Sequence, residues 1–450
     1  MSNKTKTIFL CTECGDDFAK WSGQCASCKA WGTLQEMSIS NNKKHSSTKN
    51  LKPKPSIAFN DLLKTGEIKR LTSGIDALDT VLGGGFMPAS IILFGGEPGI
   101  GKSTLSLQIA VNIESCLYIS AEESETQVAN RASRLGISSN FLSISSENRW
   151  EAIEKNIQIN KPSLLIIDSI QTIYSDSIDS IPGSLSQVKE CGNRILEFCK
   201  SANITVILIG HITKDGKIAG PKMLEHMVDT VINLSGDAKN DLRTLRSTKN
   251  RFGATHESAI FEMNEKGLIH VENPSEIFLS ERAISASGSI VIPIMEGTRP
   301  ILIEVQGLVS TATYGNPQRN ATGFDMRRLS MLIAILDKRL GYQMSTKDVF
   351  VNIVGGLKSD EPSLDLAIIS AIASSNQDVP VNSTTVVCGE VGLSGEVRSI
   401  SHLNRRIIES EKLGFKKMIC PIQNLKKLNY KSSLELIGVS TVYEALNKIL

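Results

Sequence analysis

The sequence predicts an α/β protein on a mostly parallel sheet, with a small metal-binding module ahead of it and a separate α+β unit behind. Three observations carry this. Between residues 91 and 234, short β-branched apolar runs alternate with stretches of helical period, the pattern of strands buried on both faces and covered by helices. The glycine-bearing stretch GGEPGIGKST, residues 95–104, follows one such run and precedes a helical one. Two Cys-x2-Cys pairs lie between residues 11 and 28.

At 450 residues the chain is too long for one ordinary core, and more than one domain is expected. Its composition is globular, with 41% hydrophobic and 21% charged residues. A net charge of +2 excludes a global polycation. Residues 1–70 nevertheless hold 12 Lys and Arg against 6 Asp and Glu. Such a basic end is either a solubilising tail or a hint of a polyanionic partner. No apolar run approaches the ~18 residues of a membrane span, and the start lacks a signal-peptide pattern. A cytoplasmic protein without membrane contact is expected, and its nine cysteines should not form disulfides.

Cys11-x2-Cys14 and Cys25-x2-Cys28, ten residues apart, can set four thiolates tetrahedrally around Zn²⁺. So small a module has little core, and metal binding would provide its folding free energy. It spans residues 1–37, and Trp21 and Trp31 are expected to pack against it, with contact to a partner as the alternative. Residues 38–56 are polar, hold a Pro-x-Pro pair and read as a linker. Cys116, Cys191, Cys199, Cys388 and Cys420 lie among apolar residues and read as core.

Residues 57–271 form the α/β core, with strands expected at 91–95, 116–120, 163–168, 204–210 and 230–234. Gly96-x4-Gly101-Lys102-Ser103 fits the P-loop pattern in its required strand-to-helix context. The loop Gly96, Glu97, Pro98, Gly99, Ile100, Gly101 would wrap phosphates with its backbone amides, and the helix that follows adds its positive end. Lys102 should reach the β- and γ-phosphates of ATP, with Ser103 and its neighbour Thr104 at the helix start and Ser103 ligating Mg²⁺. Asp168, ending an apolar strand, should hold the Mg²⁺ shell. Glu122, at another strand end, could polarise the attacking water, and Glu123 stays open for that role. His211 could sense the γ-phosphate from the same sheet edge. The stretch ITKDGKIAGPK after it carries Lys214, Lys217 and Lys222, suited to phosphate contacts of low sequence preference.

The stretch LTSGIDALDTVLGGGFMPASIILFGGEPGIGKST resembles the opening of RecA-fold recombination ATPases. Together with the cysteine module, IAGPKMLEHMVDTV and STKNRFGA, it resembles the bacterial RadA (Sms) DNA-repair family over almost the whole chain. The resemblance implies a RecA-like P-loop ATPase core. It also implies that Lys249 and Arg251, in Lys249-Asn250-Arg251-Phe252-Gly253, act on a neighbouring subunit's ATP or contact DNA phosphate.

Residues 272–450 form the last unit, with helical stretches at 327–339 and 363–375. It resembles the proteolytic domain of Lon, with Ser363 at the nucleophile position and Asn404 at the position of the lysine base. An amide cannot deprotonate a serine hydroxyl, so a non-proteolytic scaffold is expected. Arg327, Arg328, Lys338 and Arg339 sit on one helical stretch as a solvated face or a DNA contact. The resemblance as a whole implies a homo-hexameric, DNA-dependent ATPase of homologous recombination. It would move on single-stranded and branched DNA, promote branch migration and work beside a strand-exchange recombinase. A Lon-like serine peptidase and a KaiC-like regulatory ATPase are the competing readings.

Overall fold

Apolar runs become strands and amphipathic runs become helices in a computed structural model that describes residues 5–11, 17–26, 29, 31–40, 68–211, 222–236, 241–255, 257–283, 285–312 and 317–450. The chain folds as two units. One comprises residues 1–235, 247–255 and 263–268, the other 236–246, 256–262 and 269–450.

At the front, β1 (Thr5–Cys11) pairs antiparallel with β2 (Asp17–Phe18) and β3 (Leu34–Ser40). Trp21 and Trp31 are 62% and 75% exposed, so this module buries neither, although the Trp31 ring lies against Gly23. Among the described residues, the small three-stranded sheet has no second layer to cover two indoles.

After α1 (Asp76–Leu82), strands and helices alternate: β4 (Ile91–Gly96), α2 (Lys102–Val111), β5 (Cys116–Ser120), α3 (Glu125–Arg134), β6 (Leu142–Ser145), α4 (Trp150–Asn160), β7 (Leu164–Asp168), α5 (Leu185–Ala202), β8 (Thr205–His211), α6 (Lys222–Met227) and β9 (Thr230–Ser235). The order β9-β4-β8-β7-β5-β6 is parallel throughout. Strands β4, β5 and β7 are buried along their whole length, which is why they read as unbroken apolar runs. Trp150, Ile153 and Ile157 of α4 and Val188 and Ile195 of α5 cover one face. Beyond β9 the sheet continues through β10 (Leu242–Asn250), β11 (Ser258–Asn264) and β12 (Gly267–His270), with β10 and β11 antiparallel.

The other unit holds α7 (Pro274–Leu279), β13 (Ser289–Glu296), β14 (Arg299–Thr311), β15 (Arg319–Thr322), α8 (Met326–Leu340), β16 (Lys347–Ile353), α9 (Leu364–Gln377), β17 (Thr385–Val387), the hairpin β18 (Glu390–Val391) and β19 (Val397–Arg398), α10 (Leu403–Lys412), β20 (Lys417–Pro421), α11 (Ile422–Leu425), β21 (Glu435–Val439) and α12 (Val442–Ile449). Its seven-stranded sheet runs β15-β16-β14-β13-β17-β20-β21 and is mixed. Helix α9 is buried from Leu364 to Ser374 and packs on β13 and β14. Helix α8 carries Arg327, Lys338 and Arg339 exposed. Arg328 departs from the expected solvated face, because its guanidinium pairs with the fully buried Asp365.

Ser363 lies at the N-terminal end of α9, 1% exposed. The side chain that meets it is not Asn404, which is exposed, but Arg406. Arg406 is 0% exposed and donates to Ser363 Oγ at 3.3 Å, to Ser401 O at 3.0 Å, to Pro293 O and to Glu361. Asn404, the position read as the lysine's, is exposed, and the basic side chain at this serine is Arg406. A guanidinium accepts no proton at accessible pH, so Arg406 cannot serve this serine as a base.

Removing one partner of such a buried pair leaves an uncompensated charge. Arg406→Ala should lower the unfolding free energy of this unit by about 3–5 kcal/mol, read by denaturant titration. A loss of under ~1 kcal/mol would mean that the pair is dispensable.

Candidate functional site

The loop between β4 and α2 is shaped by its glycines. Gly99 has φ +76° and Gly101 has φ +114°, backbone that side chains rarely adopt. Around a Cβ at Gly99 nothing would lie within 4 Å, so this part of the loop faces open space. A Cβ at Gly101 would come within 2.5 Å of Met263 Cε, so the loop is pinned there. Ile100, 3% exposed, anchors the loop in the core. Lys102 opens α2, and its Nζ donates to the carbonyls of Gly96 and Glu97, both at 2.9 Å. Burial lowers its pKa, while Asp168 and Glu122 raise it. Both carboxylates are therefore close enough to act on this ammonium. Ser103 and Thr104 are half-buried on the first turn of α2.

Parallel pairing brings the other groups to the same edge. Register sets Gly96 opposite His211 on β8, which places His211 beside the loop. Asp168 ends β7 opposite Ser120 of β5, and the Ala121 amide donates to the Asp168 carbonyl at 2.8 Å. The Asp168 carboxylate is buried and accepts from Tyr118 Oη at 2.7 Å. Burial, then Asp168, pushes the Tyr118 phenol pKa well up, so it remains a donor. Ser169, joined to Asp168 by a cis peptide, donates to the exposed Glu122. Glu123 pairs instead with Arg131 of α3. The structure thus brings Lys102, Asp168 and Glu122 together and turns Glu123 away. Tyr118 and Ser169 were missed in the sequence. A tyrosine in an otherwise apolar buried strand, on the pleat face of the residue opposite Asp168, was the available signal for the first.

Lys249 and Arg251 lie elsewhere. The Arg251 amide donates to Asp229 O at 3.1 Å, and its side chain, 53% exposed, lies 3.5 Å from Asp229 Oδ1. Asp229 Oδ2 in turn accepts from the amide of Ile91, the first residue of β4, at 3.1 Å. The phosphate loop starts at the other end of that strand, roughly 17 Å away at the usual strand rise. Arg70 fixes the turn by donating to Phe252 O at 2.6 Å, and Asn250 by donating to Leu82 O at 3.1 Å. Lys249 Nζ donates to Glu225 O, His226 O and Val228 O.

In the front module Cys11, Cys25 and Leu34 form the buried core among the described residues. Lys29, at φ 59°, closes the second knuckle with its amide on Cys25 O at 2.9 Å. Two buried thiols beside a closed knuckle fit a thiolate-bound Zn²⁺; Cys14 and Cys28 lie outside the described residues, as do Lys214 and Lys217. Burial pushes the thiols of Cys191, Cys199 and Cys388 up to about 12, which keeps them inert.

Residues 71–276 match the KaiC ATPase family, residues 9–36 the rubredoxin metal-binding domain, and residues 304–424 the ChlI subunit of Mg-chelatase. The DNA repair protein RadA of Bacillus subtilis (strain 168) is 46% identical over 98% of both chains. That of Haemophilus influenzae Rd is 43% identical over 98% of this chain and 97% of its own. A KaiC-like protein of Pyrococcus horikoshii OT3, of known structure, overlaps with a TM-score of 0.39 at 18% identity, over 46% of this chain and 100% of that one. Among the described residues, no helix is long and apolar enough to cross a membrane.

Chelating Zn²⁺ from the full chain should expose residues 8–34 to protease while residues 68–211 stay resistant, read by limited proteolysis. A front module that stays resistant after metal loss would contradict a metal-held fold. Lys102→Ala should abolish ATP turnover with the melting profile intact; unchanged turnover would mean that the loop is not the site.

Proposed function

The chain belongs to the RadA family of DNA repair proteins, and from that premise we propose that it is an ATP-hydrolysing DNA repair enzyme whose active sites are completed across subunit borders. The loop amides and the N-terminal end of α2 hold the triphosphate of ATP, with Lys102 on its β- and γ-phosphates. Ser103 and Asp168 would hold Mg²⁺, which when bound neutralises charge on the phosphate oxygens. Glu122, oriented by the Ser169 hydroxyl, aligns the attacking water and takes its proton. His211 senses the γ-phosphate.

Arg251 completes the site of the adjoining subunit. The observation that carries this is its position at the amino end of β4, joined through Asp229 to Ile91. From there it cannot reach the phosphates held by its own loop. Exposed and braced by its turn, it is suited to an anion on another molecule.

The protein then works as a homo-hexameric ring on single-stranded and branched DNA. Lys214, Lys217 and Lys222 meet the strand, hydrolysis at successive borders drives branch migration, and a strand-exchange recombinase supplies the intermediates. The Lon-like unit serves as scaffold, consistent with a guanidinium against Ser363.

Mixing tests the border. Arg251→Ala and Lys102→Ala proteins should each turn over ATP at about a thousandth of the parent rate or less. Mixed, they form borders with both groups intact and should regain turnover that single-stranded DNA stimulates. No rescue at any ratio would refute the shared site.

A further inference from the structure

The triad of bonds made by Lys249 points to a different task from that of Arg251. Its ammonium donates to Glu225 O at 2.7 Å, His226 O at 3.2 Å and Val228 O at 2.8 Å. An ammonium has three donor positions, and all three are matched by carbonyls of its own chain. These carbonyls close the C-terminal end of α6, where a helix leaves acceptors without intrahelical partners and gathers negative potential.

The next residue after Val228 is Asp229, which binds the backbone and side chain of Arg251. Residues 225–229 and 249–251 are thus stitched twice, once by Lys249 and once by Asp229. The Lys200 ammonium, 3.6 Å from Asp229 Oδ1, and the Ile91 amide hold the same carboxylate from α5 and β4. Asn250 and Arg70 brace the far side of the turn. Helix α6 is the covalent continuation of the stretch that carries Lys214 and Lys217.

We propose that Lys249 is a positioning residue that couples the end of α6 to the Arg251 turn, and not a ligand of phosphate. This rests on the functional reading above. When Arg251 engages the neighbour's nucleotide, the shift of its turn is passed through Lys249 to α6. Arg251 carries the anion contact, and Lys249 makes that contact felt at the polynucleotide.

The full chain tests this, as Lys249→Ala, the milder Lys249→Gln, and Arg251→Ala. ATP turnover is measured with and without an oligo-dT strand. Hydrogen exchange across residues 222–228 is followed with and without a non-hydrolysable ATP analogue. For the Lys249 variants we expect exchange about tenfold faster or more in α6, no response of α6 to the analogue, and a ratio of stimulated to unstimulated turnover near one. Arg251→Ala should leave the exchange of α6 without nucleotide unchanged and lower both rates alike. The proposal falls if α6 exchange is unaltered in the Lys249 variants, or if it quickens while DNA stimulation persists. If the parent protein ignores DNA, the functional reading fails. The parent's α6 response to the analogue, kept or lost in Lys249→Gln, then decides the coupling by itself.

Discussion

The polarity of the parallel sheet is the constraint from which the rest follows. Every strand from β9 to β6 points the same way, so one edge collects the carboxyl ends and the other the amino ends. The glycine loop, Lys102, Asp168, Glu122 and the backbone of His211 gather at the first, where the proposed phosphate site lies. Arg251 sits at the second, tied through Asp229 to the start of β4. A single chain cannot fold these edges onto each other without breaking the sheet. A neighbour can bring them together at no cost to either fold.

Buried charge is used with economy. Asp229, Asp365, Glu296 and Arg406 are all buried, and each has an opposite charge at hand. Asp229 organises the Arg251 turn, whereas Arg406 fills the ground beside Ser363 with a cation that cannot act as a base. Two sites built from similar parts, a buried ion pair and a nearby hydroxyl or arginine, therefore differ in outcome. In one the cation stays at the surface and available, and in the other it is wholly enclosed.

The phosphate loop was legible in the sequence because its groups are contiguous and its flanks carry their own periodicity. The strand-end carboxylate Asp168 was legible because a buried strand reads as an unbroken apolar run. What was not legible depended on partners distant in the chain. Glu122 and Glu123 differ in partners distant in the chain, Ser169 for the first and Arg131 on α3 for the second. Lys249 and Arg251 looked like a matched pair of cations until the carbonyls of residues 225–228 were placed under one of them. On α10, residues 404 and 406 differ by about 200° around the helix axis, so a two-residue choice exchanges the solvent face for the core. The exposure of Trp21 and Trp31 had no local signature.

The central claim is that hydrolysis is divided between adjoining subunits. Electron cryo-microscopy of the full chain with a non-hydrolysable ATP analogue, Mg²⁺ and single-stranded DNA tests it most directly. The account predicts a closed ring in which the Arg251 guanidinium of one subunit lies within hydrogen-bond distance of the γ-phosphate bound at Lys102 of the next. A γ-phosphate contacted by its own chain alone, with Arg251 turned to solvent at every border, would contradict it.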